Sequence, residues 1–359
     1  MAFKPAIIEF KLLPAPLYQC ATQSGKNSLQ LNKIFFSKVN SDYLSQQNKK
    51  LIDISPPKQV LIIFNPISSA GNTIALADEL EKTLTSHGIS VKVSESEKKM
   101  RGYRRMATDI VESDLVVVVG GDGTVRKLLR SLSRAQKPVY VVPGGNESLF
   151  ARSYKMSANA DDLLQAIALG KYQEQYYGLI SGNGIQGKKP FFIMASMGLD
   201  SLTVKRIGKR TGPLNDAIYA WQGIAALVSL HHPTVTIAVD GRMVIDRESG
   251  YVIVANSSAY AKNLMLVPTA SPSTNELVVG FLPASQRRHE LIKALKILQH
   301  KPANLPLQYF AGVNISLTLH EPNYPLQVDG DYFRDRDIRA GSTIEFSVSP
   351  KPIRVLFQP

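Results

Sequence analysis

The 359-residue sequence predicts an α/β domain built on a parallel sheet, followed by an all-β domain whose strands run mostly antiparallel as a sandwich or barrel. Three observations carry that expectation. From Lys58 onward apolar runs alternate with helical patterns, and after about Gln173 short strand patterns follow one another instead. In that second half Asp240-Gly241 and Asp329-Gly330 fall between apolar runs as two-residue hairpin turns.

In chain order, residues 1 to 56 show no clear period and end in the polar stretch SQQNKKLIDISPP, which reads as a linker after an N-terminal extension of unassigned role. VLIIF is the first strand, NPISSAGN a loop, and Leu76, Leu80 and Leu84 mark a helix stopped at Gly88. ISVKV (Ile89 to Val93) and LVVVV (Leu115 to Val119) are strands, separated by a helix entered through the basic segment with Arg101, Arg104 and Arg105. A helix from Val125 and the strand PVYVV (Pro138 to Val142) complete an α/β domain assigned to 57–173, with 340–359 returning to it. FFIMAS, TVTIAV, YVIVAN, LVVGFL, VNISLTL, LQVDGDYF and TIEFSVS are the strand patterns after Gln173, and the β domain is assigned to 174–339. Helices around Trp221 and from Leu291 to Leu298 interrupt them.

The formal charge of +13 implies an anionic partner: nucleic acid, acidic lipid headgroups or a polyphosphate. A nucleic-acid reading rests on charge alone, because no recognised module accompanies it. The single cysteine excludes an intramolecular disulfide and every multi-cysteine metal site, and fits a reducing, cytoplasmic setting. The first residues lack the sustained apolar core of a signal peptide, and no run reaches the roughly 18 apolar residues of a membrane span. Membrane contact is therefore expected to be peripheral, on anionic headgroups, with Lys205, Arg206, Lys209 and Arg210 as a candidate docking cluster.

In a parallel α/β sheet ligands collect at the carboxyl ends of the strands. Three loops fall there: NPISSAGN, GGDGT and PGGNES. Their glycines let backbone N–H groups approach phosphate oxygens closely. Gly120, Gly121 and Gly123 would remove side chains where phosphates lie, Asp122 would hold Mg²⁺, and Thr124 would cap the next helix. A tight strand-to-helix turn uses the same residues for structure alone. Three such loops on one edge favour phosphate binding. Neither the P-loop nor the G-x-G-x-x-G fingerprint is present.

The sequence resembles the diacylglycerol kinase catalytic-domain family, which includes bacterial diacylglycerol kinases, sphingosine kinases and ceramide kinases. The resemblance covers about residues 58 to 358 and rests on NPISSAG, GGDGT, PGGNESLFAR, SMGLDS, ANSSAY and VDGD, in the family's order. It implies a three-layer α/β nucleotide-binding domain like that of NAD kinases and phosphofructokinases, a β-sandwich lipid domain, and ATP- and Mg²⁺-dependent phosphorylation of a lipid hydroxyl. Ceramide, a sphingoid base and diacylglycerol are the acceptors it suggests.

Carried over residue by residue, the resemblance places nucleotide contacts on Asn65, Ser68, Ser69, Gly71, Gly120, Gly121, Gly123, Thr124, Gly144, Gly145, Asn146 and Ser148. It makes Asp122 the metal and catalytic carboxylate and Asp331 the general base. Ile218, Trp221, Ala225 and Leu227, with Asp200, become candidate lipid contacts, although core packing explains apolar helix residues equally well. The chain also departs from the family. Asn146, Ser148 and Leu149 replace Thr, Asn and Asp, Ala261-Lys262-Asn263 replaces a G-G-G, Thr274-Asn275-Glu276-Leu277 replaces D-G-x-L, and D-G-E is D-G-D. Those departures suit a second function: a catalytically weakened or non-catalytic lipid- or nucleotide-binding protein on the kinase fold.

Overall fold

A computed structural model describes residues 51–359 except 69–71, 97–99, 145–147, 183–184, 199–200, 203, 205–231, 260–265, 285–306, 322–323 and 334–338. The expected helices around Trp221 and at Leu291 to Leu298 lie outside the described residues.

The first half builds a seven-stranded sheet. Its members are β1 (Leu51–Asp53), β2 (Gln59–Phe64), β3 (Ser90–Glu95), β4 (Leu115–Gly120), β5 (Pro138–Pro143), β6 (Lys171–Gln175) and, from the far end of the chain, β18 (Ile353–Leu356). Their order is β1-β6-β18-β5-β4-β2-β3. β2 to β5 run parallel, β18 joins β5 parallel, and β6 and β1 close that edge antiparallel. The edge strand β1 falls inside the stretch read as a linker, because a three-residue strand leaves no periodic signal.

Helices α1 (Thr73–Ser86), α2 (Met100–Glu112), α3 (Asp122–Ala135), the short α4 (Leu149–Ser153) and α5 (Ala160–Leu169) connect these strands. α2 packs on α3 and α1 on α5, giving three layers. Every residue of β4 is buried, as the unbroken valine run requires of a central strand covered on both faces. Each such side chain taken fully out of water contributes about 1.5–3 kcal/mol. α1 buries Leu80 and Leu84, and the chain leaves it through Gly88 at φ 76°, a left-handed turn that suits glycine.

The second half is antiparallel throughout its described pairs: β7 (Gly178–Gly182), β8 (Ile185–Phe191), β9 (Met194–Met197), β10 (Thr234–Val239), β11 (Arg242–Ala255), β12 (Leu277–Pro283), β13 (Gln308–Gly312), β14 (Asn314–Leu319), β15 (Leu326–Val328), β16 (Asp331–Phe333) and β17 (Thr343–Val348). The fold is thus the predicted α/β unit followed by a β-rich unit.

The long β11 serves both parts of this second array, pairing with β10 over its first half and with β9 and β12 over its second. Its YVIVA segment is buried on both faces for a reason visible in the period-two alternation of a strand. Val252 and Val254 point into the β core with Phe281 and Leu326. Tyr251, Ile253 and Ala255 point the other way, into the core that is continuous with the α/β sheet. Phe192 extends that junction, its ring tilted against that of Phe150 of α4 at 4.6 Å between ring centroids.

Candidate active site

β5, β4 and β2 are adjacent in the sheet, so the loops that leave their carboxyl ends emerge side by side. β3 and β4 flank β2 on opposite sides, which makes this edge the switch point where ligands of open α/β sheets bind. The three loops are also bonded to one another. Asn65 Nδ2 donates to Thr124 Oγ1 at 3.2 Å, and Ser68 Oγ donates to the Gly144 carbonyl. Gly144 N donates to the Gly120 carbonyl at 3.0 Å. Asp122 accepts from Leu149 N and Phe150 N, both at 2.9 Å, one on each carboxylate oxygen.

These bonds revise two expectations. Thr124 does not cap the helix: α3 begins at Asp122 with Gly121 as N-cap, and Thr124 is buried in the first turn, accepting from Asn65. The reason for the glycines is also partly different. A Cβ on Gly120 would lie 2.9 Å from Thr124 Oγ1, and one on Gly144 would lie 2.7 Å from Thr73 Cγ2 and 3.1 Å from Gly120 Cα. Those two glycines let the loops touch each other. At Gly123 a Cβ would meet nothing within 4 Å, so of these three glycines this one opens onto space beside the start of α3.

The start of α3 beside that space could receive an anion. Gly121, Asp122 and Gly123 start a 14-residue helix whose first N–H groups have no intrahelical acceptor, the arrangement that binds phosphate oxygens. Asp122 is committed to holding the start of α4. Burial pushes its carboxyl above the ordinary range, while the N–H groups of Phe150 and Leu149 and the charges of Arg126 and Arg152 pull it back down. Each oxygen of Asp122 keeps lone-pair capacity beyond the amide it accepts from, so this carboxylate could hold a divalent cation.

The β unit contributes the Asp329-Gly330 hairpin between β15 and β16, with both residues left-handed at φ 49° and 78°. Asp329 turns inward and accepts from the backbone N–H groups of Phe192, Ile193 and Met194 at 2.9, 2.8 and 3.1 Å. Burial pushes its carboxyl up to about 6, against the lowering effect of Arg126 and those three amides. The Phe192–Met194 segment is held from its other side by Asn256, whose Nδ2 donates to the carbonyl of Phe192 at 2.7 Å and whose N donates to that of Ile193 at 2.9 Å. Asp331 points outward, with a side chain 65% exposed, and forms an ion pair with Arg126 of α3. Arg126 Nη1 donates in addition to the Val328 carbonyl at 2.6 Å. Lys127 beside it is half-buried, and that burial followed by the Arg126 charge lowers its ammonium, with Asp331 opposing.

The structure therefore brings together Asn65, Ser68, Gly120, Gly121, Asp122, Gly123, Thr124 and Gly144, with Asp331 joined through Arg126. Ser148, also expected at the nucleotide, is buried at φ 43° as the N-cap of α4. Ser69, Gly71, Gly145, Asn146, Asp200, Ile218, Trp221, Ala225 and Leu227 lie outside the described residues, as do the cluster Lys205 to Arg210 and the side chains of Arg101, Arg104 and Arg105. Sequence reasoning missed Arg126, and placed Asp329 and Asn256 within motifs without the contacts they make. The four-residue spacing of Asp122 and Arg126 puts both on one helix face and was a usable signal; the partners of Asp329 and Asn256 left none.

Comparison with known proteins places this arrangement. Residues 59–179 match the family model described as the diacylglycerol kinase catalytic domain, and residues 194–357 match the YegS C-terminal NAD kinase beta sandwich-like domain. A diacylglycerol kinase of Mycobacterium tuberculosis is 24% identical over 286 residues, covering 76% of this chain and 89% of that protein. A crystal structure of a diacylglycerol kinase from Bacillus anthracis superposes with a TM-score of 0.59 at 14% identity, over 85% of this chain and 99% of the other. Yeast NADH kinase in complex with NADH superposes with a TM-score of 0.53 at 15% identity, over 87% and 88% of the two chains. At such identities the superpositions establish the fold.

Proposed function

The chain belongs to the diacylglycerol kinase catalytic-domain family of lipid kinases, and from that premise we propose that it transfers the γ-phosphoryl group of ATP, with Mg²⁺, to a hydroxyl of a lipid such as diacylglycerol, ceramide or a sphingoid base. The observation that carries this reading is the stitched rim: three loops from neighbouring strands, bonded to each other, with the start of α3 open beside Gly123. Phosphoryl transfer needs mainly positioning and charge neutralisation, and this rim is arranged for both.

In this reading the backbone of Gly121 to Gly123 receives the triphosphate, and Asn65 and Ser68 keep the neighbouring loops in register through Thr124 and Gly144. Mg²⁺, when bound, supplies charge neutralisation between the phosphates. Asp331 at the tip of the hairpin accepts the proton of the lipid hydroxyl as it attacks, and its exposure leaves it accessible to an acceptor. The lipid approaches from an anionic membrane surface, to which the +13 charge is attracted. Among the described residues no helix is long and apolar enough to cross a membrane.

The test is direct. Pure protein incubated with labelled ATP, Mg²⁺ and a panel of diacylglycerol, ceramide and sphingoid-base micelles transfers phosphate to one of them. Asp122→Asn, which turns an amide NH₂ toward a backbone N–H and loosens two loops, lowers turnover about 100-fold. Tight ATP binding without transfer to any acceptor would instead make the chain a nucleotide-binding relative.

A further inference from the structure

Arg126 follows the glycine-rich loop by one helical turn, and its guanidinium reaches out of the α/β unit altogether. One arm donates to the Val328 carbonyl at 2.6 Å and the other pairs with Asp331. The fork thus grips the two ends of one β-hairpin step, a backbone carbonyl before the turn and a carboxylate after it. Its side chain is only 19% exposed, whereas that of Asp331 is 65% exposed. Left to itself, a side chain as exposed as Asp331 would sample several rotamers; a planar, permanently charged donor pair restricts that choice. Arg126 also lowers the carboxyls of Asp122 and Asp329, so one cation faces carboxylates from the loop, the turn and the hairpin tip.

Stability is a poor reason for this arrangement, because ion pairs with so exposed a partner contribute about 0–1 kcal/mol. Geometry gives a better one. α3 carries at its first turn the N–H groups that would face a triphosphate, and in its second turn the arginine that orients Asp331. We propose that Arg126 is a positioning residue that ties the nucleotide-facing end of α3 to Asp331, so that the base is held where the phosphates are. This rests on the kinase reading of the same site.

The experiment is a double-mutant cycle on the full chain, using ATP and short-chain diacylglycerol, ceramide or sphingoid base in mixed micelles, whichever acceptor the wild type uses. R126Q is expected to lower kcat about 10- to 100-fold while leaving KM for ATP and for lipid within about twofold. R126K, which keeps the charge but loses the fork, is expected to fall between R126Q and wild type. In a D331N background R126Q is expected to cost nothing further, because the two groups act as one unit. Should R126Q unfold, the cycle is run with R126K.

No transfer by the wild-type chain overturns the kinase reading and this role with it. An active wild type in which R126Q raises KM alone, or multiplies the D331N defect by its full factor, overturns the role of Arg126 and leaves the kinase reading standing.

Discussion

Two hairpins of the β unit are built from the same dipeptide. Asp240-Gly241 has φ 48° and 81°, and Asp329-Gly330 has φ 49° and 78°. In each the aspartate carboxylate turns back to accept backbone N–H groups from a neighbouring segment, Val313 and Asn314 in one case and Phe192 to Met194 in the other. What separates them is the surroundings. Asp240 is exposed at an outer tip and is followed by Arg242, whereas Asp329 is half-buried against the α/β unit and is followed by Asp331, which meets Arg126. The lesson is that a turn's shape is local while its use is decided by what it is folded against.

The sharpest way to break that comparison is at the third residue. Asp331→Asn is expected to lower phosphoryl transfer roughly 10²–10⁴-fold with the melting temperature unchanged, because the side chain is largely exposed. Arg242→Gln at the equivalent place in the other hairpin is expected to leave both unchanged. Equal rates in Asp331→Asn and wild type would remove the proposed base.

The first residue of each turn sharpens it further. Asp329→Ala leaves three backbone N–H groups near the core without their acceptor and should cost about 3 kcal/mol of stability by chemical denaturation. Asp240→Ala exposes its amides to water and should cost about 1 kcal/mol or less. Equal losses would mean that the junction between the units does not depend on the Phe192–Met194 turn.

A further test concerns pH. The Asp329 carboxyl is raised from 3.8 to about 6 in the folded chain, so the native state holds this proton more tightly than the unfolded one. The stability it contributes is complete below about pH 4 and is lost as pH rises toward about 6. Urea midpoints of the wild type should therefore fall relative to Asp329→Asn across that window and stay level above it. A constant difference would show that burial does not control this group.

Much of the site was legible because it depends on local grammar. An apolar run, a glycine-rich loop and a helix pattern, repeated, imply a parallel sheet whose loops share an edge, and the described residues of NPISSAG, GGDGT and PGGNES do so. The reasons for individual residues were less legible. Gly144 is glycine because Thr73 and Gly120 press on it, and the carboxylate of Asp122 is taken by amides 27 and 28 positions away. β1 and β6 escaped notice because strands of three and five residues carry little periodicity.

The sequence by itself determined the elements, the turn shapes and the chemical types gathered at the loops, because these follow from side-chain periodicity and from φ preferences that act over a few residues. Only the tertiary structure decided that Arg126 meets Asp331 across 205 positions, that Asp329 is half-buried while Asp240 is exposed, and that β11 divides its faces between two cores. Such pairings depend on how two units pack against each other, and neither unit records locally the desolvation and charge it will meet on the other's surface.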